Sequence, residues 1–349
     1  MDEIILGTRK IGPDAPPFVI AEMSGNHNGD LQRALDLLTA AKSAGADAVK
    51  LQTYTPETIT LDHDRPEFYL RGGLWDGMSL HQLYQKAYTP WEWHRALFER
   101  GRELGLMVFS TPFDFTAIDL LEELGNPIYK IASFEAVDLP LIRRAAATGK
   151  PMILSTGMAT LAEIEESVQA AREGGCSQLA LLHCISGYPT PIEDANLRTI
   201  PDLARRFGVA VGLSDHTTGT AAAVASIALG GSLIEKHFTL RRADGGPDAA
   251  FSLEPEELAT LCRDCHAAWR SLGRAGYELK PSERALTQYR RSLYVVADLA
   301  AGELFTTENV RSIRPALGLA PKHYEAVLGR RAAREVRRGE PLAWEMVAP

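Results

Sequence analysis

Apolar and β-branched residues recur along the chain in short runs that end in polar residues and give way to helically spaced segments. The runs are FVIAEM (18–23), AVKLQTY (48–54), MVFSTP (107–112), IYKIAS (128–133), MILSTG (152–157), LALLHCI (179–185), AVGLSDH (210–216) and SLIEKHFT (232–239). Between them lie amphipathic stretches such as DLQRALDLLTAAKSAGA, DLPLIRRAAATG and TLAEIEESVQAAREGG, several finishing in Gly as helix C-termini do. Strand and helix alternating eight times predict an α/β fold with a parallel sheet, and eight units suit closure into a (β/α)8 TIM barrel. An open doubly wound sheet is the competitor, disfavoured because no G-x-G-x-x-G follows the first strand.

Two stretches break the rhythm. Segment 55–90, with the turn-rich LWDGMSL (74–80), is too long for a simple strand-to-helix loop, and such insertions are often lids or substrate loops. The WEW cluster that follows (91–93) reads as the apolar face of a helix packed on the barrel. Near residue 275 the alternation stops. We expect a barrel over 1–275, a polar linker over 276–290, and a small, mostly-β domain over 291–349.

Composition narrows the function. At 349 residues and 45% hydrophobic, the chain can bury a large core. A net charge of −8 argues against a nucleic-acid surface, so an anionic substrate must meet a local cluster of cations. No stretch approaches the ~20 apolar residues of a membrane span, and the N-terminus lacks a long apolar h-region. The reading is a soluble cytoplasmic protein. Cys176 and Cys184 sit in or beside apolar segments, while Cys262 and Cys265 form a lone CxxC in a helical pattern; buried thiols are the favoured reading.

Chemistry in such a barrel sits at the C-terminal strand ends. Alternation puts Lys50 with Gln52, Ser214 with His216, and Glu235 with His237 on common faces. Barrel interiors are normally apolar, so inward lysines at positions 50 and 130 call for an anion. Ser110, Thr111, Ser133, Ser155 and Ser214 add hydroxyls at other strand ends, together a set for a phosphate- or carboxylate-bearing substrate. The bland alternative pairs a lysine with Glu22 or Glu135. His216 and His237 end consecutive strands ~4.8 Å apart, with Glu22 brought near by closure, a donor set for Mn²⁺ or a similar ion. The loop RRADGGPDAAFSLEP turns tightly at Gly-Gly-Pro and presents Asp244 or Asp248 towards the mouth, or is an ordinary surface turn.

The motifs AEMSGNHNGDLQRAL, ADAVKLQTYTPETITLD, FSTPFD, YKIASFE, STGMATLAEI, GLSDHTTG and IEKHFTLRRADGGPDAAFSLEP resemble the sialic acid synthase family over nearly the whole chain. The C-terminal region resembles the SAF (antifreeze-like) domain. The likeness implies metal-dependent condensation of phosphoenolpyruvate with an open-chain N-acetylated hexose, phosphate leaving by C–O cleavage. It implies that Lys50, Gln52, Thr111, Lys130, Ser133, Ser155, Ser186 and Ser214 cradle phosphoenolpyruvate. His216 and His237 would hold a divalent ion, Mn²⁺ with Mg²⁺ or Co²⁺ as alternatives, and Glu22 would handle protons or the attacking water. Glu135, Tyr188 and Asp248 match sugar-binding positions, and Arg314 matches an arginine that crosses a domain-swapped homodimer into the partner's site.

SGNHNGD, KIASFE and RADGGPDAAFSLEP favour the pseudaminate branch, whose sugar is 2,4-diacetamido-2,4,6-trideoxy-altrose. By contrast, His183-Cys184 in LLHCISGYPTP is closer to the neuraminate and legionaminate branches, and Ser186 stands where the neuraminate enzymes carry asparagine. The alternatives are therefore an N-acetylneuraminate or legionaminate synthase, a metal-dependent hydrolase on the same barrel, and a non-catalytic sugar-binding protein.

Overall fold

The computed structural model describes residues 3–349 and divides the chain into two compact units, Met1–Gly273 and Arg274–Pro349. In the first unit, eight parallel strands close into a barrel: β3 (Phe18–Glu22), β4 (Ala48–Thr53), β5 (Met107–Pro112), β6 (Tyr129–Ile131), β7 (Met152–Ser155), β8 (Leu179–Cys184), β9 (Ala210–Asp215) and β10 (Leu233–His237). Closure is made by β10 pairing with β3. Local signals delimit the helices between strands. Asp30 caps Leu31–Ala44 by accepting from the Gln32 and Arg33 amides, and Gly45 at φ 91° ends that helix. Helix Pro255–Leu272 starts with proline in its first turn and buries Cys262 and Cys265, whose thiols are pushed up to about 12 by burial.

Strand alternation sorts the core into two apolar clusters. Outward residues such as Val19, Val49, Leu51, Leu154, Leu181 and Ile234 pack against the helices. Inward residues near the strand starts (Phe18, Ile20, Ala48, Phe109, Ile153, Leu182 and Leu233) fill the barrel floor. That floor is completed by an element absent from the sequence reading. A short hairpin, β1 (Ile4–Leu6) with β2 (Arg9–Ile11), inserts Ile4, Leu6 and Ile11 into the same cluster. Apolar packing thus occupies the lower barrel, and polar residues occupy the upper.

Segment 55–90 forms short helices at Pro56–Ile59 and Leu80–Ala87 with a largely exposed stretch between them. WEW forms a tight turn, Trp91–Trp93, ahead of helix His94–Leu104; only Trp93 packs on the outer core. In the second unit, β11 (Ser292–Val295) pairs antiparallel with β12 (Val310–Ile313) over a separate core that includes Leu293, Phe305, Val327 and Leu342. Among the described residues no helix is long and apolar enough to cross a membrane.

One outward pair on the last two strands is ionic. Lys236 Nζ lies 2.7 Å from Asp215 Oδ2, with both side chains 1% exposed, and also donates to the Thr217 carbonyl. Asp215 accepts in turn from the Thr217 amide and hydroxyl. Removing one partner of such a pair leaves a buried charge uncompensated. We expect Lys236→Met to lower the free energy of unfolding in urea by roughly 3–5 kcal/mol. Adding Asp215→Asn should restore a large part of it, and a single-variant loss below about 1 kcal/mol would mean that solvent already reaches Asp215.

Candidate active site

The upper half of the barrel gathers charge. Register sets Glu22 of β3 beside Lys50 of β4 on one flank and beside His237 of β10 on the other. Ser214 of β9 faces both Cys184 of β8 and Glu235 of β10. Lys50 Nζ lies 2.9 Å from Glu22 Oε2 and 3.6 Å from Glu235 Oε1, and donates to Thr111 Oγ1 at 3.2 Å. Lys130 Nζ donates to Glu235 Oε1 at 3.3 Å, and Ser214 Oγ donates to the same oxygen at 3.2 Å. Gln52 Nε2 donates to Glu22 Oε1 at 2.8 Å. The four ionisable side chains of this cluster are no more than 4% exposed.

Burial and charge pull these groups apart. Burial raises the Glu22 carboxyl, and the attraction of Lys50 only partly offsets it. Burial also opposes the Glu235 charge, but Lys130 and Lys50 together outweigh it and hold this carboxyl low. For Lys50, burial loses to Glu22 and Glu235, so its ammonium is stabilised; for Lys130, burial wins and its pKa falls. Two lysines therefore share one buried space with two carboxylates pushed in opposite directions, Glu22 raised and Glu235 lowered.

Hydroxyls line the same space. Ser133 and Ser186 share a hydrogen bond of 2.9 Å, and buried Ser155 Oγ has no partner among the described residues. Gly157, at φ 45°, makes this approach feasible, because a Cβ there would lie 2.2 Å from Ser133 Cβ and 2.8 Å from Ser186 Oγ. Ser110 departs from expectation. It points outward, 2.6 Å from Thr53 Oγ1, and its amide is held by Asn126, because alternation puts Thr111, not Ser110, inside.

Beside the lysines stand the two imidazoles, ring centroids 5.3 Å apart. Burial lowers the pKa of both, His237 strongly, so both are neutral and offer lone pairs. His216 Nδ1 bonds the Ile185 carbonyl at 2.9 Å, which leaves Nε2 free to coordinate. His237 Nδ1 is buried without a hydrogen-bond partner among the described residues, 3.9 Å from Asp248 Oδ2. Buried His94, by contrast, has both nitrogens occupied, by Thr53 and Pro90. Two available nitrogens therefore fit a divalent ion that completes its shell with water and substrate oxygens. Glu22 Oε1 accepts from Gln52, while its buried Oε2 lies 2.9 Å from Lys50 Nζ without a hydrogen-bond partner among the described residues. Among the described residues, no group of three His, Cys, Asp or Glu side chains is arranged to hold an ion.

Around the imidazoles, Tyr188 lies 4.3 Å from His216 and Phe251 lies 4.9 Å from His237, between ring centroids. Asp248 accepts from Ser24, and burial raises its carboxyl. Asp244 instead pairs with Arg33 and Arg241 outside the site. Arg314 belongs to the second unit. Two members escaped the sequence reading: Ser24, which joins Asp248 to Gln52, and Glu235 as the shared anion of both lysines. The signal for Glu235 was its spacing of two from His237.

The model of the NeuB family matches residues 37–277, and that of the SAF domain matches 290–348. The chain is similar to the pseudaminic acid synthase of Helicobacter pylori, at 44% identity over 94% of this chain and 97% of that protein. It is 37% identical to the N,N'-diacetyllegionaminic acid synthase of Campylobacter jejuni, over 93% of this chain and 98% of that one. Among solved structures it resembles the N-acetylneuraminic acid synthetase of Leptospira borgpetersenii, with TM-score 0.73, 35% identity, and 82% and 95% of the two chains covered.

Glu135, in the turn after β6, generates a pH dependence. Burial raises its carboxyl from 4.5 to about 7. Between those values the folded state holds a proton that the unfolded state has lost, so this group's contribution to stability falls as pH rises through the window. Glu135→Gln cannot ionise. Its stability relative to the unsubstituted protein should rise by on the order of 1 kcal/mol or more from pH 5 to pH 8. Parallel stability curves across that range would show Glu135 to be solvated.

Proposed function

The chain belongs to the NeuB family, and on that premise we propose that it makes pseudaminic acid. It condenses phosphoenolpyruvate with 2,4-diacetamido-2,4,6-trideoxy-β-L-altropyranose in its open-chain form and releases phosphate by C–O cleavage. One observation carries this reading: two buried lysines with hydroxyl donors stand directly beside two neutral imidazoles with free nitrogens. The first half suits a small, multiply charged anion; the second suits an aldehyde activated by a metal ion. A hydrolase would leave the lysines without a purpose.

Roles follow from the geometry. Lys50 and Lys130 bind the carboxylate and phosphate of phosphoenolpyruvate, exchanging carboxylate counter-charges for substrate ones. Thr111, Ser133, Ser155, Ser186 and Ser214 orient those oxygens, and the unpartnered Ser155 hydroxyl is a donor already desolvated. A divalent ion at His216 and His237, Mn²⁺ with Mg²⁺ or Co²⁺ as alternatives, supplies Lewis-acid polarisation of the aldehyde oxygen. Carbon 3 of phosphoenolpyruvate adds to the aldehyde carbon, and water adds at carbon 2 before phosphate departs. Glu22, oriented by Gln52 and raised by burial, holds or takes the proton of that water. Glu135, Tyr188 and Asp248 bound the sugar side.

A domain-swapped homodimer completes the site in this proposal, with Arg314 gripping the partner's sugar as a fork. Support comes from apolar side chains on two consecutive loops at the mouth, Phe134 (55% exposed), Val137 (56%) and Met158 (61%), which a second copy would cover. Phosphoenolpyruvate as co-substrate fits work in the cytoplasm.

The test is phosphate release with phosphoenolpyruvate, Mn²⁺ and each candidate sugar, with an EDTA control. We expect turnover with the diacetamido-trideoxy-altrose and none after EDTA. Preference for N-acetylmannosamine or the manno-configured diacetamido sugar would keep the chemistry and replace the substrate. His237→Ala should abolish metal-dependent turnover, and Arg314→Ala should raise the KM for sugar while leaving that for phosphoenolpyruvate unchanged. Unaltered kinetics in either variant would remove the corresponding role.

A further inference from the structure

We propose that Trp75, carried on a glycine-rich strap outside the barrel, forms the outer wall of the sugar site and selects for methyl-bearing, deoxygenated sugars. This deepens the amino-sugar reading above and rests on it.

The strap is a closed loop. The Leu70 amide donates to the Met78 carbonyl at 2.9 Å, the Gly77 amide donates back to Leu70 at 3.1 Å, and Tyr69 bridges Ser79. Its tip turns through Gly72, Gly73 and Gly77, all at φ between 75° and 81°. Residues 71–77 are exposed except for Trp75. Partners from elsewhere in the barrel unit hold that one side chain. Its Nε1 donates to the Pro247 carbonyl at 3.0 Å, and its ring meets Tyr188 with centroids 6.1 Å apart. Pro247 precedes Asp248, the carboxylate beside His237, and Tyr188 lies against His216. Two loops far apart in sequence thus meet through one indole, which reaches the imidazole pair by way of Tyr188.

The indole spends its only polar group on Pro247, so the face it presents is apolar. Tyr188 and Phe251, with centroids 5.4 Å apart, extend that face towards both imidazoles. A sugar reacting through its aldehyde carbon there must direct its remaining carbons and acyl groups past these rings. The diacetamido-trideoxy sugar carries three methyl groups, two on the acetamides and one at carbon 6. N-acetylmannosamine carries one methyl and places hydroxyls at carbons 4 and 6. An apolar wall rewards the first, and a single methyl in such a pocket is worth about 10–200-fold in selectivity.

The experiment compares steady-state kinetics of the unsubstituted protein, Trp75→Ala and Trp75→Phe, varying sugar and phosphoenolpyruvate separately. We expect Trp75→Ala to raise the KM for the diacetamido sugar about 10-fold or more. The KM for phosphoenolpyruvate should stay put, and the preference for this sugar over N-acetylmannosamine should shrink. Trp75→Phe, which keeps an aromatic face, should fall between. An unchanged sugar KM and preference in Trp75→Ala overturns the proposal. So does loss of fold in that variant by circular dichroism, which would make the indole a structural pin. An unsubstituted protein that releases no phosphate with either sugar overturns the amino-sugar reading itself; an active protein indifferent to Trp75→Ala overturns only this inference.

Discussion

Four ionisable side chains, Glu22, Lys50, Lys130 and Glu235, are buried together inside a closed barrel, and their mutual compensation is the condition on which the rest depends. Each costs several kcal/mol to take out of water, and only an opposite charge close by offsets that cost. The separations of 2.9, 3.3 and 3.6 Å between lysine nitrogens and carboxylate oxygens supply that compensation. Apolar residues of similar volume would make a barrel at least as stable. The floor below already uses them, with Phe18, Ile20 and Phe109. Charge is confined to the upper half of the interior, towards the C-terminal strand ends.

The same constraint explains why β9 and β10 carry so many polar residues in succession. Along β10, Glu235 and His237 point in while Lys236 points out; along β9, Ser214 points in while Asp215 points out, and inward His216 follows. An outward Lys236 would meet the apolar layer of helices unless partnered, and Asp215 is that partner across the ladder. Two ionic networks therefore lie on opposite faces of the same two strands, the inner one joining Glu235 to the lysines and the outer one joining Lys236 to Asp215. The strands also pack closely, since a Cβ at Gly212 would lie 2.1 Å from the Leu233 carbonyl oxygen.

Much of this was legible in the sequence because period-two alternation is a strong signal in buried parallel strands. The eight runs, the inward lysines and the paired histidines all followed from it. Ser110 was misread because hydroxyls were grouped by position at a strand end rather than by face; alternation with Phe109 and Thr111 already put it outside. The hub role of Glu235 lay out of reach for a different reason. Its contact with Lys130 spans 105 residues of sequence, and only closure of the barrel brings the two together. The floor hairpin was missed because two three-residue strands around a tight turn carry too little pattern to stand out.

A division of labour follows from where these groups sit. The lysines, Glu22, Glu235 and His237 stand on strands, whose positions the barrel fixes on both sides. Tyr188, Asp248 and Trp75 stand on segments beyond the strand ends, which tolerate changes in length and composition. Chemistry common to relatives acting on different sugars needs the first set to be invariant in geometry, whereas a change of sugar needs only the second set to differ. The branch signals in the sequence fall on both sets: Ser186, Cys184 and His183 lie at or just past the end of β8 and KIASFE begins on β6, while SGNHNGD and RADGGPDAAFSLEP lie in the outer loops. On the proposed reading, carbons beyond the aldehyde face the outer loops rather than the strands, so for the sugar those loops carry more weight.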